Sequence, residues 1–477
     1  MHSLVRAIVG SGLTLMLSGC LVGSEHPDPA LDVPAKYSAA RGDPEAALPV
    51  FGWWRGFRSS ELSALMEEAQ NANLDIAVAV AQILQADAQV RIAGAPLFPS
   101  IGFAGDAEEM RQSVAVRGSR TVGSTISPVS SVYNVAINAS YTLDFWGKNQ
   151  SATLAATETA VASRYNRDVV ALTTASTVAN TYFQVLAAQD SLRIARQNVA
   201  SAERILDLVK QQFNAGTTSQ LEVSQQESLV GIQRATIPPL EITLRQNTVA
   251  LGVLLGLPPE RFKLKGGSLS GLAIPRVTPG LPSELLVRRP DVRQAEVQLA
   301  SSNFSVESAR AAFFPTIQLT GLGGFQSSAL KTLFTPGAWY YTLAANLTQP
   351  IFDGFLLQGQ LDQARGVQLQ FLQSYRKAVI SAFSDVEKAL IAIEQTSIQE
   401  RLQQEVVRAS RQAFALSEAQ LRAGTVNLIT TLQTQQTLFT AESTLVQVKL
   451  ARLQAIISLY QALGGGWPER AGPNLRS

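Results

Sequence analysis

The sequence predicts an α+β membrane protein built from a duplicated unit. Three observations carry this. Short motifs recur at an offset near 210 residues. Two windows, 148–215 and 367–423, run 68 and 57 residues without Gly or Pro. Each copy also holds a segment of about ten residues that alternates apolar with small or polar side chains, as a half-lipid-facing strand does.

Composition narrows the function. The 477 residues carry 39 Lys+Arg against 37 Asp+Glu, a formal net charge of +2. That gives no support for nucleic acid as a partner. Charged residues are 16% of the chain, below the roughly 25% usual for soluble proteins. The histidines are His2 and His26, and Cys20 is the single cysteine. An intrachain disulfide framework and a Cys/His zinc site are therefore excluded. A Ser-His-Asp triad has only His26 to draw on, in a polar, proline-bearing stretch. Phosphate-loop patterns fail too: Gly354 to Gly359 is followed by Gln360, not Lys, and Gly321-Leu322-Gly323-Gly324 lacks the third glycine of a dinucleotide fingerprint. The expectation is no enzyme, no metal and no cofactor.

The N-terminus reads as an address. Arg6 supplies a positive n-region, and residues 7–17 form an apolar run short of the ~20 residues that span a bilayer. The run ends in Leu17-Ser18-Gly19-Cys20, which resembles the bacterial lipobox. Residues 1–19 are then a signal peptide and Cys20 the lipidated first residue. An ordinary signal peptide with a chance cysteine is the alternative. Leu21, rather than Asp, resembles the outer-membrane sorting signal. No later run of 18 apolar residues exists, so a membrane crossing must use strands.

The duplication orders the rest. Leu97-Phe98-Pro99 with Ile101 and Gly105 recurs as Phe313-Phe314-Pro315 with Ile317 and Gly321, an offset of 216. Ala215-Gly216-Thr217 recurs as Ala423-Gly424-Thr425, and Leu255-Gly256 as Leu463-Gly464, an offset of 208. A Gly/Ser-rich stretch at 117–131 absorbs the difference as a loop. The first repeat is read as 59–256 and the second as 283–464, with a lipidated segment at 20–58, a linker at 257–282 and a tail at 465–477.

Each repeat reads helix, strand, strand, long helix, helix. The first helices fall at 61–95, with Ser59 or Ser60 as N-cap, and 283–312. The strands fall at 100–111 and 131–144, then 316–326 and 339–349. Tyr133, Val135, Ile137, Ala139, Tyr141 and Leu143 share one face of the second strand, against Asn134, Asn138, Ser140 and Thr142. The long helices cover 148–215 and 355–423; at 1.5 Å per residue the first is about 100 Å long. Gly216 and Gly424 end them as left-handed C′ residues. The last helices run 219–237, stopped by Pro238-Pro239, and 427–463. Lengths near 100 Å mean coiled-coil packing, and Val169, Leu172, Ser176, Ala179, Phe183 and Leu186 keep its spacing, as Ala389, Ile393 and Ile398 do more loosely.

Four strands cannot close a barrel, and open strand edges cannot lie in lipid. Several copies must share one barrel. Three would give 12 strands, an even number within the outer-membrane range, although the strand count alone does not fix three.

Taken together, these features resemble the TolC-like outer-membrane efflux proteins, and most closely their lipoprotein branch of the OprM and NodT type. The most specific residues are Leu281-Pro282-Ser283-Glu284-Leu285-Leu286, running into Arg288-Arg289-Pro290-Asp291-Val292 and Ala295-Glu296. Tyr141 to Lys148 looks like the family's strand-to-helix junction, with Gly147 and Gly354 at the two junctions. The resemblance implies a homotrimer: a 12-stranded barrel, four strands per chain, on a long α-helical barrel with a mixed equatorial collar. It implies a periplasmic adaptor and a proton-driven inner-membrane pump as partners, and outer-membrane lipid around the barrel. The function implied is a passive exit duct for small molecules. The alternatives are a duct for a secreted polypeptide in type I secretion and a lipid-anchored coiled-coil scaffold without a pore.

The resemblance also assigns sites. The turns at Ala215-Gly216-Thr217 and Ala423-Gly424-Thr425 form the periplasmic tip where the adaptor docks; as local structure alone they are helix caps. The narrowest ring of the family often carries carboxylates, but those positions read Thr430 and Gln433 here, with Ile429 before them. Latch positions read Leu421 and Val426. The gate expected is Ile429 packing with Gln433 hydrogen bonds, and Glu222, the repeat partner of Thr430, is the nearest carboxylate.

Overall fold

The computed structural model describes residues 27–31, 33, 34, 37, 38, 51–111, 129–275, 277, 280 and 282–466. The signal peptide, Cys20, the insertion at 117–128 and most of the tail lie outside the described residues. The backbone falls into two units, Met1–Pro29, Leu84–Val161 and Glu296–Ser374 in the first, and Ala30–Ile83, Ala162–Ala295 and Tyr375–Ser477 in the second.

The first unit is organised around one antiparallel sheet in the order β1-β2-β3-β4, with β1 Ser100–Arg111, β2 Val129–Leu143, β3 Thr316–Ser327 and β4 Trp339–Thr348. Sequence neighbours pair throughout, and the middle pair joins the two repeats: Tyr133 faces Ser327 and Leu143 faces Ile317. β1 and β4 are the edges.

The second unit holds the helical core. α1 Ser60–Ala72 starts on Ser59, whose hydroxyl accepts from Leu62 N at 3.1 Å. α2 Leu74–Gly94 follows after one residue. The single helix expected over 61–95 is thus broken at Asn73, a buried side chain that accepts from Asp75 N at 2.9 Å and Ile76 N at 3.1 Å. An asparagine that caps the next helix costs less than burying a free amide. Within 60–97 one window reaches a mean hydropathy of 1.2, so length and composition alone would let it cross a membrane; α2 itself carries the charges Asp75, Asp87 and Arg91.

α3 Lys148–Asn214 is continuous over 67 residues. α4 Gln220–Ala235 and α5 Ile237–Leu254 are separated only by Thr236. Pro238 and Pro239 therefore begin a helix rather than stop one: in the first turn a proline lacks only an N–H that has no partner anyway. α6 Pro282–Arg288 and α7 Pro290–Ala311 replace the single helix expected over 283–312. Pro290 disfavours helical geometry at the residue before it, so Arg289 is the break. α8 Leu356–Arg422 and α9 Leu428–Ala462 complete the chain.

Trp53, Phe57, Leu62, Met66, Phe183, Leu186, Leu251, Leu255 and Ile457 form the main core cluster. Ser176, Ala179, Phe183 and Leu186 of the expected α3 stripe are buried, and so is Ala389 on α8, whereas Ile398 is exposed and Glu400 takes the inward place. Glu400 is held there by Arg452 at 2.7 Å and by Gln404 at 3.1 Å. Residues 257–275 contain only short helical turns but are pinned to the helices. Glu61 accepts from Lys265 N at 2.9 Å and Gly266 N at 3.1 Å, and Asp190 accepts from Leu269 N at 3.0 Å.

Candidate functional site

The sheet has two unlike faces. Because pleating alternates side chains, the register assigns each to a face. One face carries the rows Phe103–Ile137–Gly323–Tyr341 and Ile101–Ala139–Gly321–Leu343. Phe103, Ile101, Leu343, Tyr341 and Trp339 on it are each more than half exposed. The other face is small and polar, including Asp106, Asn134, Asn138, Gln318, Thr342 and Tyr340.

At the strand-to-helix junctions Gly147 and Gly354 take φ of +74° and +68°. A Cβ on either would meet nothing within 4 Å, so backbone conformation, not space, asks for glycine there. Asp144 then caps α3 by accepting from Asn149 N at 3.0 Å and Gln150 N at 2.7 Å. Asp353 caps α8 through Leu357 N at 2.9 Å. Phe355 adopts φ +67° between them, a conformation that costs a non-glycine residue about 1 kcal/mol. Trp146 donates to the Pro315 carbonyl at 2.8 Å and stacks on Phe314 at 4.7 Å. The two Asp caps and Phe355 were missed by sequence reasoning; an Asp ahead of a Gly and a helical pattern was the available signal.

The turns at 215–217 and 423–425 are the same device twice. Gly216 N donates to Phe213 O at 2.9 Å and Thr217 N to Gln212 O at 2.9 Å. Gly424 N donates to Leu421 O at 3.1 Å and Thr425 N to Gln420 O at 2.9 Å. Both are Schellman motifs with glycine at C′, and in both the threonine hydroxyl also donates to the carbonyl that its own N–H reaches. Ala215 and Ala423 precede the glycines with no helix-breaking chemistry of their own.

Of the expected gate residues, Ile429, Thr430 and Gln433 lie together on an exposed face of α9. Asn427 caps α9 through Thr430, whose N–H and hydroxyl both donate to Asn427 Oδ1 at 3.1 and 2.9 Å. Glu222 lies in the first turn of α4. Its carboxylate accepts from Ser219 N at 2.9 Å in a capping box, and the Ser-x-x-Glu spacing was the signal for it. Leu421 is buried with Ile205, Val209, Val223, Phe414, Leu428 and Leu438 in a cluster drawn from α3, α4, α8 and α9. Beside it lie polar residues that the periodicity did not predict. The Ser417 and Thr434 hydroxyls are 2.7 Å apart, Thr431 donates to Ser417 O at 3.3 Å, and Gln226 donates to Ala202 O at 2.8 Å. Gln435 is fully buried with neither amide atom partnered.

Among the described residues no cluster of His, Cys, Asp and Glu has metal-ligand geometry. Similarity to known proteins bears on these surfaces as a whole. The outer membrane efflux protein family model matches residues 65–257 and 281–465. The chain is 38% identical over 456 residues to the pyoverdine export outer membrane protein OpmQ of Pseudomonas putida, covering 95% of this chain and 97% of that one. It is 29% identical over 461 residues to the probable outer membrane lipoprotein SilC of Salmonella typhimurium, covering 95% and 97%. The crystal structure of the open state of the Neisseria gonorrhoeae MtrE outer membrane channel matches with a TM-score of 0.82 and 29% identity, over 93% of this chain and 97% of that one.

Proposed function

Because the chain belongs to the outer membrane efflux protein family, we propose that three copies assemble into the outer-membrane exit duct of a tripartite efflux system. The carrying observation is the sheet: four strands, two open edges, one apolar face and one polar face. Backbone groups at β1 and β4 must find partners in lipid. Joining β1 of one copy to β4 of the next closes 12 strands with the apolar face outward. The helices carry apolar surface that one chain leaves open, as Leu74, Val78, Leu84 and Ile92 on α2 do. Neighbouring copies cover it and complete a helical tunnel, and residues 257–275 belong to a collar around that tunnel.

Cys20 carries the lipid anchor in the outer membrane. The paired Schellman turns form the tip on which a periplasmic adaptor docks, and a proton-driven inner-membrane pump supplies the cargo. Conduction through the duct is passive. Ile429, Thr430 and Gln433 form an uncharged constriction that widens when the inner helices part. The cargo is a small molecule, and likeness to pyoverdine export proteins favours a compound of that kind over a secreted polypeptide.

Planar-bilayer recording of the purified full chain tests the duct. Discrete conductance steps are expected, with greater closed-state leak in Gln433→Ala. A chain that never conducts leaves only a lipid-anchored scaffold. Labelled palmitate is expected on the wild type and absent from Cys20→Ala.

A further inference from the structure

On the polar face of the sheet a hydrogen-bond chain crosses from one edge toward the other. Tyr340 on β4 donates its phenol proton to Asn134 Oδ1 on β2 at 2.7 Å, and the Asn134 amide donates to Asp106 Oδ1 on β1 at 3.3 Å. The phenol reaches past β3 because Gly324 stands directly opposite Tyr340 and offers no side chain. The same glycine lets β2 and β3 close tightly, since a Cβ there would lie 2.2 Å from Val135 O. Asp106 is therefore an exposed carboxylate whose direction is set by the Asn134 amide, and Glu108 follows it on the same face two residues along β1. The strands described contain two other charged residues, Glu109 and Arg111. Glu109 pairs with Ser131 and Arg111 with Val129, so both belong to the opposite face. The polar face thus carries negative charge and no cation among the described strand residues.

Resting on the trimeric duct proposed above, we propose that Asp106 and Glu108 set the charge selectivity of this channel, in the barrel lumen and not at the periplasmic constriction. Closure of the barrel repeats the Tyr340–Asn134–Asp106 chain around the lumen and gathers the carboxylates of every copy into one belt. Rings of Asp and Glu on low-dielectric walls concentrate cations and exclude anions. The constriction side chains Ile429, Thr430 and Gln433 carry no charge with which to do this. Asp106 and Glu108 are specificity-determining residues for permeation; Tyr340 and Asn134 are positioning residues that hold Asp106.

The test is the reversal potential of purified full-length protein in planar phosphatidylcholine bilayers under a KCl gradient. The wild type is expected to reverse toward the potassium potential. Asp106→Asn with Glu108→Gln should bring that value at least halfway to zero. Tyr340→Phe should give a smaller shift in the same direction, and Thr430→Ala with Gln433→Ala none. If the double variant yields no channels, Glu108→Gln alone, outside the hydrogen-bond chain, carries the test. A wild type that prefers chloride, or a carboxylate variant with unchanged reversal, overturns the inference. A wild type with no conductance overturns the duct itself, so the two failures are distinguishable.

Discussion

Asn73 and Arg289 make the same contact in the two repeats. The Asn73 amide donates to the Leu254 carbonyl at 2.8 Å, and Arg289 Nη1 donates to the Ala462 carbonyl at 3.2 Å. The two residues are 216 apart and the two carbonyls 208 apart, the two offsets of the duplication. Beside them Gly256 and Gly464 approach so closely that a Cβ would lie 2.5 Å from Ala72 O and 2.6 Å from Arg288 O. In each repeat the break in the first helix is therefore bolted to the C-terminal end of the last helix. The second copy has added charge to the bolt: Arg289 also reaches Asp291 at 2.7 Å and Asp385 at 3.2 Å.

This joint predicts an order of stabilities. Burial works against the Arg289 charge, but the two carboxylates hold its pKa above the ordinary guanidinium value. Arg289→Ala removes that charge and orphans the Ala462 carbonyl, at a cost of about 3 kcal/mol per chain. Asn73→Ala loses a cap and one hydrogen bond, about 1–2 kcal/mol. Denaturant unfolding of the detergent-solubilised protein should rank them in that order. Equal midpoints would show that the added carboxylates contribute nothing.

The tip glycines separate docking from folding. A Cβ at Gly216 or Gly424 meets nothing within 4 Å, so alanine there costs only the left-handed backbone, about 1 kcal/mol each. Gly216→Ala with Gly424→Ala should still assemble and conduct in bilayers. If the turns are the docking surface, adaptor co-purification should fall several-fold. Retained adaptor binding alongside normal assembly would place docking elsewhere.

Glu158 on α3 gives a pH signature. Burial raises its carboxyl above the usual carboxylate value of 4.5, so the protonated form is favoured in the folded state. The stabilisation is fully present below that value and is lost as pH rises through the raised one. Glu158→Gln keeps a neutral side chain at every pH. The variant should therefore be more stable than the wild type at neutral pH, and the gap should narrow in melts taken below the carboxylate range. A gap that does not change with pH would assign the effect to packing.

The long helices and the strands were legible because each has a single dominant period. Absence of Gly and Pro marks α3 over its full length, and the alternation of Tyr133 to Leu143 marks β2, which extends two residues further at its start. The helix joints were not legible. Asn73 sits inside a stretch without Gly or Pro, and its cap on the next helix and its contact with a carbonyl far along the chain make it a break. Pro238-Pro239 read as a stop because local propensity cannot tell a helix end from a helix start one residue later. Repeat alignment gave the position of Glu222, while the Ser219–Glu222 capping box decides where its carboxylate points. The polar residues packed near Leu421 follow no period at all, since they answer to neighbours on other helices.

Gln435 offers the sharpest link between packing and gating. It is fully buried on α9, in line with Leu428, Thr431 and Leu438, and both amide atoms lack partners. A buried amide left unsatisfied costs about 1–3 kcal/mol. That cost is relieved when the helices separate and water reaches the side chain, so the residue weakens the packed state relative to the parted one. Gln435→Leu keeps a similar volume and removes the penalty. The variant should unfold at higher denaturant concentration and open less often in bilayer recordings, with unchanged conductance once open. Gln435→Asn, shorter and still polar, should not reproduce the gain in stability. Higher stability with an unaltered opening frequency would show that this layer stays packed when the channel opens.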